Sequence, residues 1–147
     1  MGRIYEDRAT LRQEDSIAKV LEGKWRCELY KAPISYFCDY FAVHNKKIKS
    51  MIELKGHPLS YDFVISKCIQ AASAFQISQT LGVPYIQVHY DEKKRLILYK
   101  VLKKEHFSKA EIVHTKNNDG RVLKDGEFPY YDFILKIPKQ DFLRIEY

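Results

Sequence analysis

Residues 50–56, SMIELKG, set a carboxylate and an ammonium two positions apart inside an otherwise apolar run. In an extended chain successive side chains point to opposite faces. Ile52 and Leu54 therefore share one face while Glu53 and Lys55 share the other, roughly 6 to 7 Å apart along the strand. If this strand lies at the centre of a sheet, withdrawing both charges from water is costly unless they are paired or bind something. The stretch thus restricts the fold to one that leaves this face open or builds a charged site on it, and a metal ion or charged substrate would offset the cost.

The preceding residues supply a third group. SYFCDYFAVHNKKIKSMIELKG reads as two strands, about 36–44 and 48–55, joined by a polar turn. With a loop of Asn45, Lys46 and Lys47, His44 lies opposite Ile48, the paired numbers sum to 92, and Asp39 falls across from Glu53 on the same face. A two-residue loop is expected to place them on opposite faces. Carboxylates with Cβ atoms about 4.5–5.5 Å apart repel unless a cation bridges them. Hard carboxylate oxygens suit Mg²⁺ or Mn²⁺, which keep several waters and also bind phosphate oxygens, and Lys55 is placed to orient or deprotonate an attacking water. An ExK tripeptide alone also describes a solvated ion pair. Asp39 at matching parity is what favours a site.

Around the hairpin, Leu11, Glu14, Ile17, Ala18 and Leu21 recur at helical spacing over residues 8–21, with Gly23 as a stop. WRCELYKA, 25–32, alternates as a strand that Pro33 ends. The run 60–81 has no breaker before Gly82, and its length predicts one helix packed on the sheet. VPYIQVHY, 83–90, and RLILYKVL, 95–102, read as strands joined by a DEKK turn. The order is helix, three strands, helix, strand, with one more strand at the edge: an α/β layer of helices on a mixed sheet. A capping box at 108–111, turns at NNDG and KDG, and the run FPYYDFILKIP predict further strands of the same domain in the last third. We expect one domain over 1–147, with a core of about 8–102 and a C-terminal β extension of about 103–147.

Asp39 followed by IELK after a turn resembles the signature of the PD-(D/E)xK nuclease superfamily. The resemblance spans about 8–90 and implies a restriction-endonuclease-like αβββαβ core with a mixed central sheet. It also implies a metal site of Glu14 from the first helix, Asp39, Glu53 and the backbone carbonyl of Leu54, with Lys55 beside it. Glu14 lies on the same helix stripe as Ile17 and Leu21, which points it inward at the sheet. The motif's proline position holds Cys38 here. LRQEDSIAKVLE and ELKG are similar to phage Holliday junction resolvases of this superfamily. Lys67 and Gln70 resemble polar residues beside the metal site in relatives, and His57 is a candidate phosphate contact.

Composition agrees with a folded, polyanion-binding domain: 46% hydrophobic, 30% charged, and 25 Lys+Arg against 19 Asp+Glu for a net charge of +6. The excess lies partly around 46–49, 93–95 and 103–104, where lysines can neutralise DNA phosphates. Cys27, Cys38 and Cys68 form no CxxC pair, and no HExxH, GxxxxGK[ST] or GxSxG occurs, which excludes the common zinc, NTPase and serine-hydrolase frames. The first sixteen residues lack the apolar core of a signal peptide, and the expectation is a cytoplasmic protein with no membrane span. The expected function is an Mg²⁺- or Mn²⁺-dependent DNA endonuclease, structure-specific for junctions or branches, for which a homodimer is expected. The alternative is an inactive nuclease fold used as a DNA-binding or protein-interaction module.

Overall fold

The computed structural model describes residues 8–33, 37–114 and 131–147. Helix α1, Arg8–Trp25, buries Glu14, Ile17, Ala18 and Leu21, the stripe its spacing predicts. It runs past Gly23, where nothing lies near the missing side chain, because the Trp25 ring packs edge-on against Tyr99 at 5.2 Å. The stop comes instead at Arg26, which takes a left-handed φ of 53°.

Strands β1, Glu28–Lys31, β2, Tyr40–His44, and β3, Lys47–Gly56, follow as an antiparallel meander. The β2–β3 turn has two residues, not three: Asn45 and Lys46 both adopt positive φ, the geometry that follows the right-handed twist of a hairpin. His44 pairs with Lys47 and Val43 with Ile48, whereas Ala42 pairs with Ser50. A bulge at Lys49 thus inserts one residue into β3 and restores the register in which Tyr40 faces Ile52. The parity expected from a longer loop is reached by a short loop and a bulge.

The 60–81 stretch is not one helix. Phe63–Lys67 forms strand β4, whose Val64 and Ser66 point inward while Phe63, Ile65 and Lys67 face out, and helix α2 occupies only Cys68–Leu81. Alternation with β-branched and aromatic residues wins over length there, because β4 has a partner far along the chain. Strand β5, Tyr85–Asp91, returns parallel to β3, and β6, Leu96–Val101, pairs antiparallel with it. The short helix α3 spans Lys104–Phe107, with the Lys103 N–H donating to His106 Nδ1 at 2.8 Å. Ser108 closes that helix and does not open a capping box, and Glu111 begins strand β7, Glu111–His114. The NNDG and KDG segments fall outside the described residues. Strands β8, Tyr131–Pro138, and β9, Leu143–Glu146, complete the chain.

The main sheet has the order β1-β2-β3-β5-β6-β9, mixed through its one parallel pair, and β4-β8-β7 form a second antiparallel sheet. Ile17, Ala18 and Leu21 of α1 pack on one face with Ile52, Leu54, Val88, Tyr90 and Ile97. On the other, Met51, Tyr85, Leu96 and Leu98 meet Ala71 and Ala74 of α2 and Val64, Leu135 and Ile137 of the second sheet. The expected order of helix, three strands, helix and strand is present, with β4 interposed before α2, and the C-terminal residues add to both sheets. Among the described residues no helix is long and apolar enough to cross a membrane.

Gly56, at the end of β3, lies beside Tyr90 in the parallel register, and a Cβ there would meet the Tyr90 ring at 2.6–2.8 Å. That ring is only 4% exposed and has little room to yield. Gly56→Ala should therefore lower stability by about 1–3 kcal/mol, read as a reduced urea midpoint, and an unchanged midpoint would mean that the ring moves aside freely.

Candidate functional site

Strand β2 ends at Tyr40, while β3 runs on to Gly56. Backbone N–H groups of a strand point alternately to its two neighbours. Met51 donates to Pro84 on the β5 side, at 2.9 Å, so Leu54 presents its N–H and carbonyl on the β2 side, beyond the end of that strand. Asp39, directly before β2, occupies the gap. Its N–H donates to the Ile52 carbonyl at 2.9 Å, and its Oδ2 accepts the Leu54 N–H at 2.7 Å.

Glu14 reaches the same strand ends from α1 and is 7% exposed. Between the two acids stands Lys31 of β1, whose Nζ is 3.0 Å from Glu14 Oε2 and 3.8 Å from Asp39 Oδ1, with the Tyr40 ring 5.2 Å away. Glu53 and Lys55 project together from the face of β3 that the second sheet covers, with Glu53 Oε1 3.3 Å from Lys55 Nζ. The other oxygen of Glu53 accepts a hydrogen bond from the Tyr85 hydroxyl.

Burial, reinforced by the Glu14 and Glu53 carboxylates, pushes the Asp39 carboxyl up to about 6 against the lowering pull of the Leu54 N–H and Lys31. A hard, oxygen-coordinated divalent cation fits that donor set. Among the described residues, however, no group of three or more His, Cys, Asp or Glu side chains is gathered closely enough to hold a metal ion. Joint ligation by the three acids requires Lys31 to withdraw from between Glu14 and Asp39. Cys38 is buried, its thiol pushed up to about 11 by desolvation, and it serves as packing beside the site.

Other expected residues are placed differently. Lys67 ends β4 and caps the N-terminus of α2, one turn before Gln70, and both are exposed. His57 follows β3, held by its N–H to the Tyr90 carbonyl at 3.0 Å, and its Nε2 faces His89 Nδ1 at 2.9 Å, not open solvent. The reading by motif passed over Lys31, Tyr85, Gln87 and His89. A signal for the last three existed: Tyr85, Gln87 and His89 alternate in β5 with Ile86 and Val88, and the parallel register sets Gln87 beside Glu53 and His89 beside Lys55.

Compared with known proteins, the chain matches the family described as "Phage putative PDDEXK endonuclease" over residues 1–145. No curated protein sequence matches it. Among solved structures it is similar to Hjc, a Holliday junction resolvase from the archaeal hyperthermophile Archaeoglobus fulgidus, at 14% sequence identity. That superposition covers 87% of this chain and 93% of the other with a TM-score of 0.49.

A carboxyl raised to about 6 in the folded chain, against about 3.9 when unfolded, binds its proton more readily in the native state over that window. Its contribution to stability is therefore greatest at low pH and is lost as pH rises from about 4 through about 6. Asp39→Asn keeps an oxygen for the Leu54 N–H and removes the charge. In metal-free buffer the variant should melt a few degrees higher than wild type at pH 8, the gap narrowing towards pH 4. A variant that melts lower at pH 8, or a gap independent of pH, would contradict this account of the charge.

Proposed function

The chain belongs to the family of phage PDDEXK endonucleases, and on that premise we propose that it is an Mg²⁺- or Mn²⁺-dependent enzyme hydrolysing phosphodiester bonds in DNA. The observation that supports the reading is the setting of Asp39 beside the start of β2: its Oδ2 takes the Leu54 N–H, it shares Lys31 with Glu14, and the Glu14 and Glu53 charges both act on its carboxyl. Glu14, Asp39 and Glu53 would hold the cation, with the Leu54 carbonyl on the same edge as the N–H that Asp39 takes. A divalent ion there supplies Lewis-acid polarisation of the scissile phosphate and neutralises its developing charge.

The chain's own groups do the rest. The Lys55 ammonium has three donors and spends one on Glu53, which leaves donors for an attacking water and a phosphate oxygen. Glu53 keeps Lys55 oriented, and Asp39 is itself fixed by the Leu54 N–H. Hydrolysis delivers the water's hydroxyl to phosphorus and its proton to the departing sugar oxygen. Branched DNA, including four-way junctions, is the substrate class we place first, because LRQEDSIAKVLE and ELKG resemble phage junction resolvases. Two symmetric cuts would call for a two-fold dimer. Lys67, Gln70 and His57 are the proposed DNA contacts.

A second reading has its own support: each acid already has a protein partner in Lys31, Leu54, Lys55 or Tyr85, as in an inactive nuclease fold that binds DNA or protein. The two separate on metal binding, since a ion that binds only the folded state raises the melting temperature, by about 2.7 kcal/mol of stability at a hundred times its dissociation constant.

On a panel of branched, duplex and single-stranded DNA, wild type should cleave with Mg²⁺ or Mn²⁺ and stop on chelation. Asp39→Ala and Lys55→Ala should each lose at least about 100-fold in rate while remaining folded by circular dichroism. Full activity in either variant would remove the assignment, and a wild type with neither cleavage nor a Ca²⁺-induced rise in melting temperature would favour the inactive module.

A further inference from the structure

The face of the main sheet that carries Glu53 and Lys55 also buries a row of polar side chains which the proposed reaction leaves without a role. Tyr85 and His89 of β5 are fully buried, Gln87 between them is 1% exposed, and Ser66 of β4 closes over them at 6%. They are joined end to end. His57 Nε2 lies 2.9 Å from His89 Nδ1, His89 Nε2 is 3.2 Å from Gln87 Oε1, Gln87 Nε2 is 3.5 Å from the Tyr85 hydroxyl, and that hydroxyl meets Glu53. Ser66 Oγ adds a contact of 3.3 Å to Gln87 Oε1.

The hydrogens in this series follow from its end. An ionised carboxylate only accepts, so Tyr85 must donate to Glu53. With its one hydrogen spent, the Tyr85 oxygen can only accept, which turns the amide nitrogen of Gln87 towards it and the amide oxygen away. That oxygen accepts from both Ser66 and His89, so His89 carries its proton on Nε2. Burial, followed by the nearby His57 and Lys55 charges, holds His89 neutral, pushed down to about 3, and its bare Nδ1 accepts from the Nε2–H of His57. Every donor points the same way. A reversed Gln87 amide would set like against like at both Tyr85 and His89, inside a core where unmatched polar atoms are costly.

We propose that His57, His89, Gln87 and Tyr85 form a one-way hydrogen-bond relay whose polarity is set by Glu53, and that Tyr85, Gln87 and His89 are positioning residues that hold the Glu53 carboxylate in one orientation as a cation ligand. The inference rests on the metal-site reading above and deepens it. Groups that orient a metal ligand from behind typically change metal affinity by about 10- to 100-fold when removed. The relay also explains why β5 has a polar row on a face that elsewhere packs Met51, Leu96 and Leu98. Ser66 ties it to the second sheet, so that β4, and through it β8, brace the site from beneath.

The test uses the full chain with Mn²⁺ alone as probe. Titration calorimetry on wild type, Tyr85→Phe and Gln87→Leu should give a Mn²⁺ affinity about 10- to 100-fold weaker in both variants, with circular dichroism verifying that each is folded. Imidazole ¹⁵N shifts should show His89 protonated on Nε2 in wild type, a readout that needs no variant to fold. In Tyr85→Phe, where the Gln87 amide loses the partner that fixes it, His89 should show both tautomers. Folded variants that bind Mn²⁺ as tightly as wild type, or a wild-type His89 protonated on Nδ1, would overturn the relay and leave the metal site standing. A wild type that binds no Mn²⁺ would overturn both.

Discussion

One hydrogen bond organises the functional end of this protein: the Leu54 N–H donated to Asp39 at 2.7 Å. It exists because β2 stops at Tyr40 while β3 continues, leaving a backbone donor that no strand can satisfy. A buried amide without an acceptor costs about 1–3 kcal/mol, and a carboxylate from the residue just before β2 removes that penalty. The same bond fixes where Asp39 points, with Lys31 between it and Glu14. The bulge in β3 is part of this arrangement, for without its extra residue the short turn would set Asp39 and Glu53 on opposite faces.

Charge follows from that placement. Glu14, Asp39 and Glu53 contribute three negative charges when ionised, and Lys31 and Lys55 contribute two positive ones, which leaves a deficit of one. Burial first, and the Glu14 and Glu53 charges after it, raise the Asp39 carboxyl to about 6. Lys31 sits closer to Glu14 than to Asp39, 3.0 against 3.8 Å, so one ammonium is stretched over two acids. A divalent ion that took the place of Lys31 would, together with Lys55, balance the three carboxylates. On the proposed reading Lys31 is a counter-ion that a bound metal would displace, and the affinity for metal would reflect that exchange as well as the acids themselves.

Much of the fold was legible because its signals are local. The stripe from Glu14 to Leu21 is helical by spacing alone, and the alternation in β3 names its two faces. What eluded sequence reasoning depends on residues far apart in the chain. Strand β4 was read as helix because its partner, β8, begins more than sixty residues later and nothing within 60–81 announces it. The choice between a two- and a three-residue turn is not settled by the letters, because Asn45-Lys46 lacks the glycine that marks short hairpin turns, and the compensating bulge at Lys49 has no mark in the sequence. At the proposed site, Asp39, Glu53 and Lys55 stand out in the sequence as a motif, and Glu14 by its place on the inward helix stripe. Lys31 and the polar row of β5 do not, since their importance arises only when β1 lies beside β2 and β5 beside β3.

The central claim is that the three acids close around a divalent cation in exchange for Lys31. A crystal grown with Mn²⁺ and read by anomalous scattering tests it most directly. The account predicts one peak touched by oxygens of Glu14, Asp39 and Glu53 at roughly 2.0–2.2 Å, with the Lys31 ammonium moved out from between Glu14 and Asp39. A map with no peak at the end of β2, and Lys31 still bridging the two acids, would contradict it.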